Sequence, residues 1–189
     1  MSEQEHFVSV ADKAVFPKST ALEGVRIAYA VCGGIGAVES VRFVRELRRH
    51  GAEVVGFLTP AAIKFLPVMP LEWATGRPVV CEEGPAMEHF DPFNLVIVAP
   101  ATMNTIAKAA LGMADNVVTL LLTTQLGQKG MVLFVPTMNE KLLAHPRYPE
   151  HRAMLEKWGA RFFDSKIEEG RLKMPDVITF GNWVICEWK

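Results

Sequence analysis

Cysteine is scarce in this chain of 189 residues: Cys32, Cys81 and Cys186 are the only three, an odd number at wide spacing. That count leaves little material for a disulfide framework or a zinc site and makes a reducing cytoplasm the expected compartment. An excess of one charge is missing too. With 20 Lys+Arg against 21 Asp+Glu the formal net charge is -1, so the chain offers no electrostatic footprint for nucleic acid. No apolar run approaches the roughly 18 residues that a membrane-spanning helix needs, and no membrane association is expected. Met1 to Lys13 is polar and leans acidic, without the basic start and apolar stretch of a signal peptide. Repeats, low-complexity tracts and linkers are absent as well.

What is present reads as an ordinary globular chain, 50% hydrophobic and 22% charged, of a size that suits one domain. Residues 1–24 show little periodicity and are expected to be an N-terminal extension, with the domain proper over 25–189. Val25 to Val31 is a short apolar strand that runs into Cys32-Gly33-Gly34-Ile35-Gly36 and then a helix. Val41, Val44 and Leu47 form the inward stripe of that helix, Arg42, Arg45, Glu46 and Arg49 its solvated face, and Gly51 its stop. A second strand, Glu53 to Leu58, is followed by Thr59-Pro60, with Pro60 in a good position to open a helix. Leu95 to Ala99 and Met131 to Val135 are continuous apolar runs, as expected of strands buried on both faces. A helical region covers about Thr102 to Thr123 with a break near Gly112; His151 to Trp158 is helical, and Arg161-Phe162-Phe163 begins the last strand. Strands alternating with helices imply one α/β domain, a Rossmann-like (flavodoxin-like) parallel sheet with helices on both faces.

In such a sheet ligands bind beyond the carboxyl ends of the strands. Four segments fall there: Cys32 to Gly36, Thr59-Pro60, Pro100 to Thr105, and Pro136 to Asn139. The glycine loop serves either as a tight strand-to-helix turn or as an anion site on unblocked amides. Glu39 stands where a dinucleotide fingerprint has its third glycine, and Thr59 stands where a ribose-binding acid belongs. Together these favour a mononucleotide phosphate over NAD. Thr102, Asn104 and Thr105 put three small polar groups directly after a buried strand, more than a single helix cap requires. Asp115-Asn116 opens a second polar helix start nearby.

Here the sequence resembles the homo-oligomeric flavin-containing cysteine decarboxylases. That family includes phosphopantothenoylcysteine decarboxylase and the peptidyl-cysteine decarboxylases of lanthipeptide biosynthesis, with flavin prenyltransferases as relatives. The likeness runs from about Val25 to Met174. It is carried by Ala99-Pro100-Ala101-Thr102-Met103-Asn104-Thr105-Ile106-Ala107-Lys108, by Gly112-Met113-Ala114-Asp115-Asn116 and by Pro136-Thr137-Met138-Asn139. The resemblance implies FMN, with its phosphate near Gly33, Gly34, Ile35 and Thr59. It implies flavin, ribityl or phosphate contacts from Thr102, Met103, Asn104 and Thr105, with Phe65 near the ring. His89 matches the family's active-site histidine, a residue able to exchange a proton near neutral pH. Asn139, with Met138 beside it, matches the asparagine associated with the substrate carboxylate. A homotrimer or dodecamer follows from the same likeness; Leu120, Leu121 and Leu122 are read either as an exposed apolar patch that would support it or as one side of a core helix. His145 and His151 lie in a polar, surface-like segment and are taken as structural.

Two departures stand out. Pantothenate-pathway members carry a cysteine in a substrate-clamping loop, and the corresponding stretch here, Asp164 to Met174, is shorter and has none. The asparagine motif continues Glu140-Lys141-Leu142-Leu143, where the family often has Met-Trp. Cys32, on the glycine loop, is read as packing and not as a substitute. The expected activity is FMN-dependent oxidative decarboxylation of a cysteine-derived carboxylate. An FMN oxidoreductase acting on a pterin-like substrate and a non-catalytic flavin-binding subunit are the alternatives.

Overall fold

The computed structural model describes residues 13–84 and 93–189. Five strands form one parallel sheet: β1 (Arg26–Val31), β2 (Glu53–Leu58), β3 (Leu95–Ala101), β4 (Met131–Pro136) and β5 (Arg161–Phe162). Their spatial order is β2-β1-β3-β4-β5, with Ile27 in register with both Val54 and Leu95. This is the doubly wound order of flavodoxin-like domains. From β1 the sheet grows one way to β2 and the other way to β3, so the loops leaving β1 and β3 part at their carboxyl ends. That parting is where the cleft described below opens.

All seven residues of β3 are buried, which explains why the strand reads as an uninterrupted apolar run. Side chains alternate between two cores. Ile27, Tyr29, Val31, Leu95 and Ile97 face α1 (Ser40–Arg49), α2 (Val68–Thr75) and α7 (Val177–Trp188). Ala28, Ala30, Val96 and Val98 face α3 (Met103–Ala110), α4 (Val117–Gly127) and α6 (Arg147–Lys157), with the short α5 (Glu140–Leu143) between β4 and α6. On the first face Phe43 of α1 meets Phe180 of α7 edge-on, ring centroids 4.7 Å apart. Of the stripe expected on α1, Val44 and Leu47 are fully buried and Val41 half-buried, but Glu46, expected to face water, is 1% exposed and paired with Lys18 and Arg49. Gly51 stops the helix at φ +96°, a conformation that suits glycine.

Several expectations need correction. Pro60 opens no α-helix; a single 3-10 turn, Ala62–Lys64, follows β2, and α2 waits until Val68. Between Gly34 and α1 lies another 3-10 turn, Ile35–Glu39. In the region 102–123 the break expected near Gly112 is there: it separates α3 from α4, and Asn116 caps the second helix. Leu121 and Leu122 are 1% and 0% exposed, so they are core residues and present no surface patch. His151, expected near the surface, is 8% exposed. Leu22, within the stretch expected as an extension, is wholly buried, and its N–H donates to the His50 carbonyl at 2.8 Å. After β5 the chain adds a small antiparallel hairpin, β6 (Ile167–Glu168) and β7 (Arg171–Leu172), and then α7, neither of which the periodicity announced. Among the described residues no helix is long and apolar enough to cross a membrane.

Candidate functional site

A cleft of about 1170 Å³ lies beyond the carboxyl ends of β1 to β4. One wall is the glycine loop. A Cβ on Gly33 would sit 2.5 Å from Ala61 Cβ and 2.9 Å from the Ala61 carbonyl carbon. The loops after β1 and β2 therefore touch backbone to backbone, and only glycine fits. Gly34 is extended, and Ile35 and Val38, 66% and 52% exposed, border the opening. Thr59 closes this end: its N–H donates to the Val31 carbonyl, and its Oγ1 accepts from the Ala62 N–H at 3.1 Å.

The floor is the start of α3. Thr102 caps the helix, its Oγ1 accepting from the Thr105 N–H at 3.4 Å and lying 3.3 Å from the Thr105 hydroxyl. Met103 is half-buried over the second core, while Asn104 is exposed on the cleft and its amide makes no hydrogen bond among the described residues. Capping thus uses Thr102 and Thr105 and leaves Asn104 available. Lys108, one turn on, donates to Asp115 at 2.5 Å, and that bond holds the Asp115 carboxyl below the usual carboxylate range. Asn116 then caps α4: its Oδ1 accepts from the Val118 and Thr119 N–H groups, and Thr119 Oγ1 accepts from the Asn116 N–H at 3.0 Å. Asn116→Ala removes both acceptor contacts and should cost about 1 kcal/mol of stability, typical of a lost N-cap, read as a lower denaturant midpoint at unchanged slope.

The opposite wall is made by Met138, Asn139 and the β6–β7 hairpin. Asn139 caps α5, its Oδ1 accepting from the Leu142 N–H at 2.9 Å, which leaves Nδ2 as the free end of the side chain. The hairpin is fastened to this segment by backbone bonds: Leu172 N–H to the Met138 carbonyl at 2.7 Å and Glu140 N–H to the Gly170 carbonyl at 2.9 Å. It brings Arg171, Lys173 and Met174 into the lining, and a Cβ on Gly36 would lie 3.0 Å from Met174 Cγ. A segment far along the chain thereby reaches the glycine loop.

Ten of the residues singled out in the sequence line this one cleft: Gly33, Gly34, Ile35, Thr59, Thr102, Met103, Asn104, Thr105, Met138 and Asn139. Phe65 ends the 3-10 turn after β2, 41% exposed, and is not part of the lining. His89 lies outside the described residues. Cys32 is fully buried next to the floor, and burial pushes its thiol up to about 11, opposed by the Thr105 hydroxyl. The described residues hold no group of three or more His, Cys, Asp or Glu placed to bind a metal. Lys108, Arg171, Lys173 and Met174 went unassigned from sequence; the signal for the last three was the turn at Glu169-Gly170, between Ile167 and Leu172.

Compared with known proteins, residues 15–184 match the model of the family described as Flavoprotein. The chain belongs to the flavoprotein family. Within this flavoprotein, 167 residues are 38% identical to the coenzyme A biosynthesis bifunctional protein CoaBC of Thermococcus kodakarensis, covering 85% of this chain and 41% of that protein. The flavoprotein thus spans about two fifths of the length of that curated relative. Among solved structures it is similar to SpaF, described as an FMN-dependent cysteine decarboxylase, with 25% identity and a TM-score of 0.74 over 89% of this chain and 99% of that one. The fold is also that of the peptidyl-cysteine decarboxylase EpiD, with 20% identity and a TM-score of 0.73 over 85% and 98% of the two chains.

Proposed function

We propose that the cleft binds FMN and that this flavoprotein catalyses the FMN-dependent oxidative decarboxylation of a cysteine-derived carboxylate on a small molecule or peptide. The observation that carries this reading is that one continuous cleft has two chemically different walls. Glycine amides and neutral hydroxyl and amide groups form the first; Asn139 and the hairpin form the second. The residues of the first wall suit a flavin mononucleotide. Gly33 leaves no room for a side chain between the loops, Thr59 rather than an acid follows β2, and the Asn104 amide has no partner among the described residues.

In this reading the amides of Gly33, Gly34 and Ile35 and the Thr59 hydroxyl hold the phosphate, and Thr102, Met103, Asn104 and Thr105 hold the ribityl chain and ring edge. Bound there, FMN supplies the two-electron acceptor that converts the substrate's CH2–SH to a thioaldehyde, the electron sink for loss of carbon dioxide. Asn139 offers Nδ2 to the carboxylate, its Oδ1 being fixed by the α5 cap. Met138, 7% exposed, and Leu172 present apolar surface on the same wall. His89 takes the thiol proton, a role assigned to it on the family resemblance. The same proposal includes residues 25–189 as the FMN-binding domain, a homotrimer or dodecamer as the assembly, and the cytoplasm as the compartment.

Purified protein should be yellow, and the extracted cofactor should run as FMN on chromatography. Asn104→Ala should lower flavin occupancy more than Asn139→Ala does, because Asn104 faces the cleft with nothing else to bind. FAD in the extract, or no flavin after reconstitution, overturns the cofactor; the reverse order of occupancies would exchange the two roles. Bleaching by reduced nicotinamide but by no thiol would move the reading to an FMN oxidoreductase.

A further inference from the structure

The hairpin carries a charge that the rest of the cleft does not use. Three cations appear among the described lining residues, Lys108, Arg171 and Lys173. Lys108 is paired with Asp115. Lys173 is paired with Glu169 at 2.7 Å and with Glu168 at 3.6 Å. Among the described residues the Arg171 guanidinium makes no ion pair and no hydrogen bond, and the Glu169 carboxylate feels its charge only at a distance. Its backbone is fixed. Arg171 stands opposite Glu168 across the hairpin and bridges to Asn139 on the other side, while Leu172 N–H is tied to the Met138 carbonyl. An unpaired guanidinium and the free Nδ2 of Asn139 therefore border the same part of the cleft, on adjacent strand-like backbones.

Asn139 can donate two hydrogen bonds but brings no charge. Guanidinium supplies both, in a planar fork that matches a carboxylate. We infer that Arg171 is the charge-recognition residue for the substrate carboxylate, acting beside Asn139; this rests on the decarboxylase reading above for the identity of the anion. The contact belongs to substrate binding. The carboxylate keeps its charge while the thiol is oxidised, so a guanidinium at that end holds the bound substrate and that transition state alike. Arg171→Gln is accordingly expected to raise KM for a cysteine-ended peptide about tenfold and to leave kcat within about threefold.

Binding can be separated from chemistry with probes that lack the thiol. Flavin-loaded protein would be titrated by calorimetry with N-acetylserine, which has the carboxylate, and with N-acetylethanolamine, which does not. The expected result is a preference of about tenfold for N-acetylserine in the parent chain, the size of one charge-assisted hydrogen bond. Arg171→Gln should erase that preference at unchanged flavin content, and Arg171→Lys, which keeps the charge but not the fork, should restore part of it. Arg171→Gln with the parent preference intact overturns the inference, as does a parent chain that binds the two probes alike or binds neither. A chain that discriminates through Arg171 yet decarboxylates no cysteine-ended substrate upholds the inference about the anion site and removes the proposed reaction.

Discussion

Gly33→Val should leave the purified chain folded and nearly colourless. A Cβ there would come within 2.5 Å of Ala61 Cβ and 2.9 Å of the Ala61 carbonyl carbon, and the second of these is backbone. Ala61 cannot retreat cheaply, because Thr59 is bonded to Val31 and Ala62 is bonded back to Thr59. The glycine loop must move instead, and with it the amides assigned to the phosphate. Overpacking of this kind costs about 1–3 kcal/mol, enough to lower cofactor affinity tenfold or more. Gly34→Ala is the control: its nearest neighbour is Thr102 Cγ2 at 3.9 Å, and the residue is extended, so occupancy should hold. Flavin absorbance per chain, with circular dichroism to verify folding, reads both. A folded Gly33→Val chain with full flavin content would put the cofactor elsewhere.

The contrast between the two glycines is invisible in a Gly-Gly dipeptide, and it shows which kind of information the sequence withheld. Elements that bury both faces announce themselves: β1, β3 and β4 are apolar runs because helices cover each side of the sheet. Elements decided by a distant partner do not. In α7, Val177, Ile178, Thr179, Val184 and Ile185 are β-branched, and Gly181 interrupts the middle, a composition poor in helix formers. Packing overrides it. Phe180 and Val184 are fully buried on the first face of the sheet, and a Cβ at Gly181 would lie 3.2 Å from Glu46 Cγ, so a small residue is needed there. The local signal was Asp176, whose carboxylate accepts from the Ile178 and Thr179 N–H groups. Leu121 and Leu122 posed the opposite problem: a run of leucines has no polar face to read, and only the burial of α4 against the second core settles their side.

The site divides along the same line. Its first wall and floor follow each strand by a few residues, so the carboxyl-end rule finds Gly33, Thr59 and Thr102 from strand positions alone. In the Thr102 segment capping occupies Thr102 and Thr105, which satisfy each other, while Asn104 stays open to the cleft. The second wall depends on a hairpin that begins only at Ile167, far along the chain from Met138, and is fastened by two backbone bonds that carry no residue-type signature. Arg171 could be read only as part of a shortened loop until that docking was known.

The same hairpin bears on the outcome of the proposed reaction. Oxidative decarboxylation of a cysteine end removes carbon dioxide and two hydrogens, leaving an enethiol, with two electrons and two protons passed to the flavin. A saturated product requires those two electrons to come back, and a thiol beside the product is the natural relay. None is available. The chain's cysteines are Cys32, Cys81 and Cys186, and none of them lines the cleft. Cys32 comes nearest, but it is fully buried with its thiol pushed up to about 11, so it stays protonated and inert at neutral pH. The hairpin offers Ser165, Lys166, Arg171 and Lys173, and none of these side chains carries electrons. Mixed anaerobically with a cysteine-ended peptide, the protein should therefore bleach once, release one equivalent of enethiol per flavin and stop. Admitting oxygen or another two-electron acceptor should restore the colour and allow further turnover. Mass spectrometry of the product gives the hydrogen count, and the absorbance trace gives the flavin state. A saturated product together with flavin that returns to its oxidised form without any added acceptor would refute the prediction and identify a relay outside the hairpin.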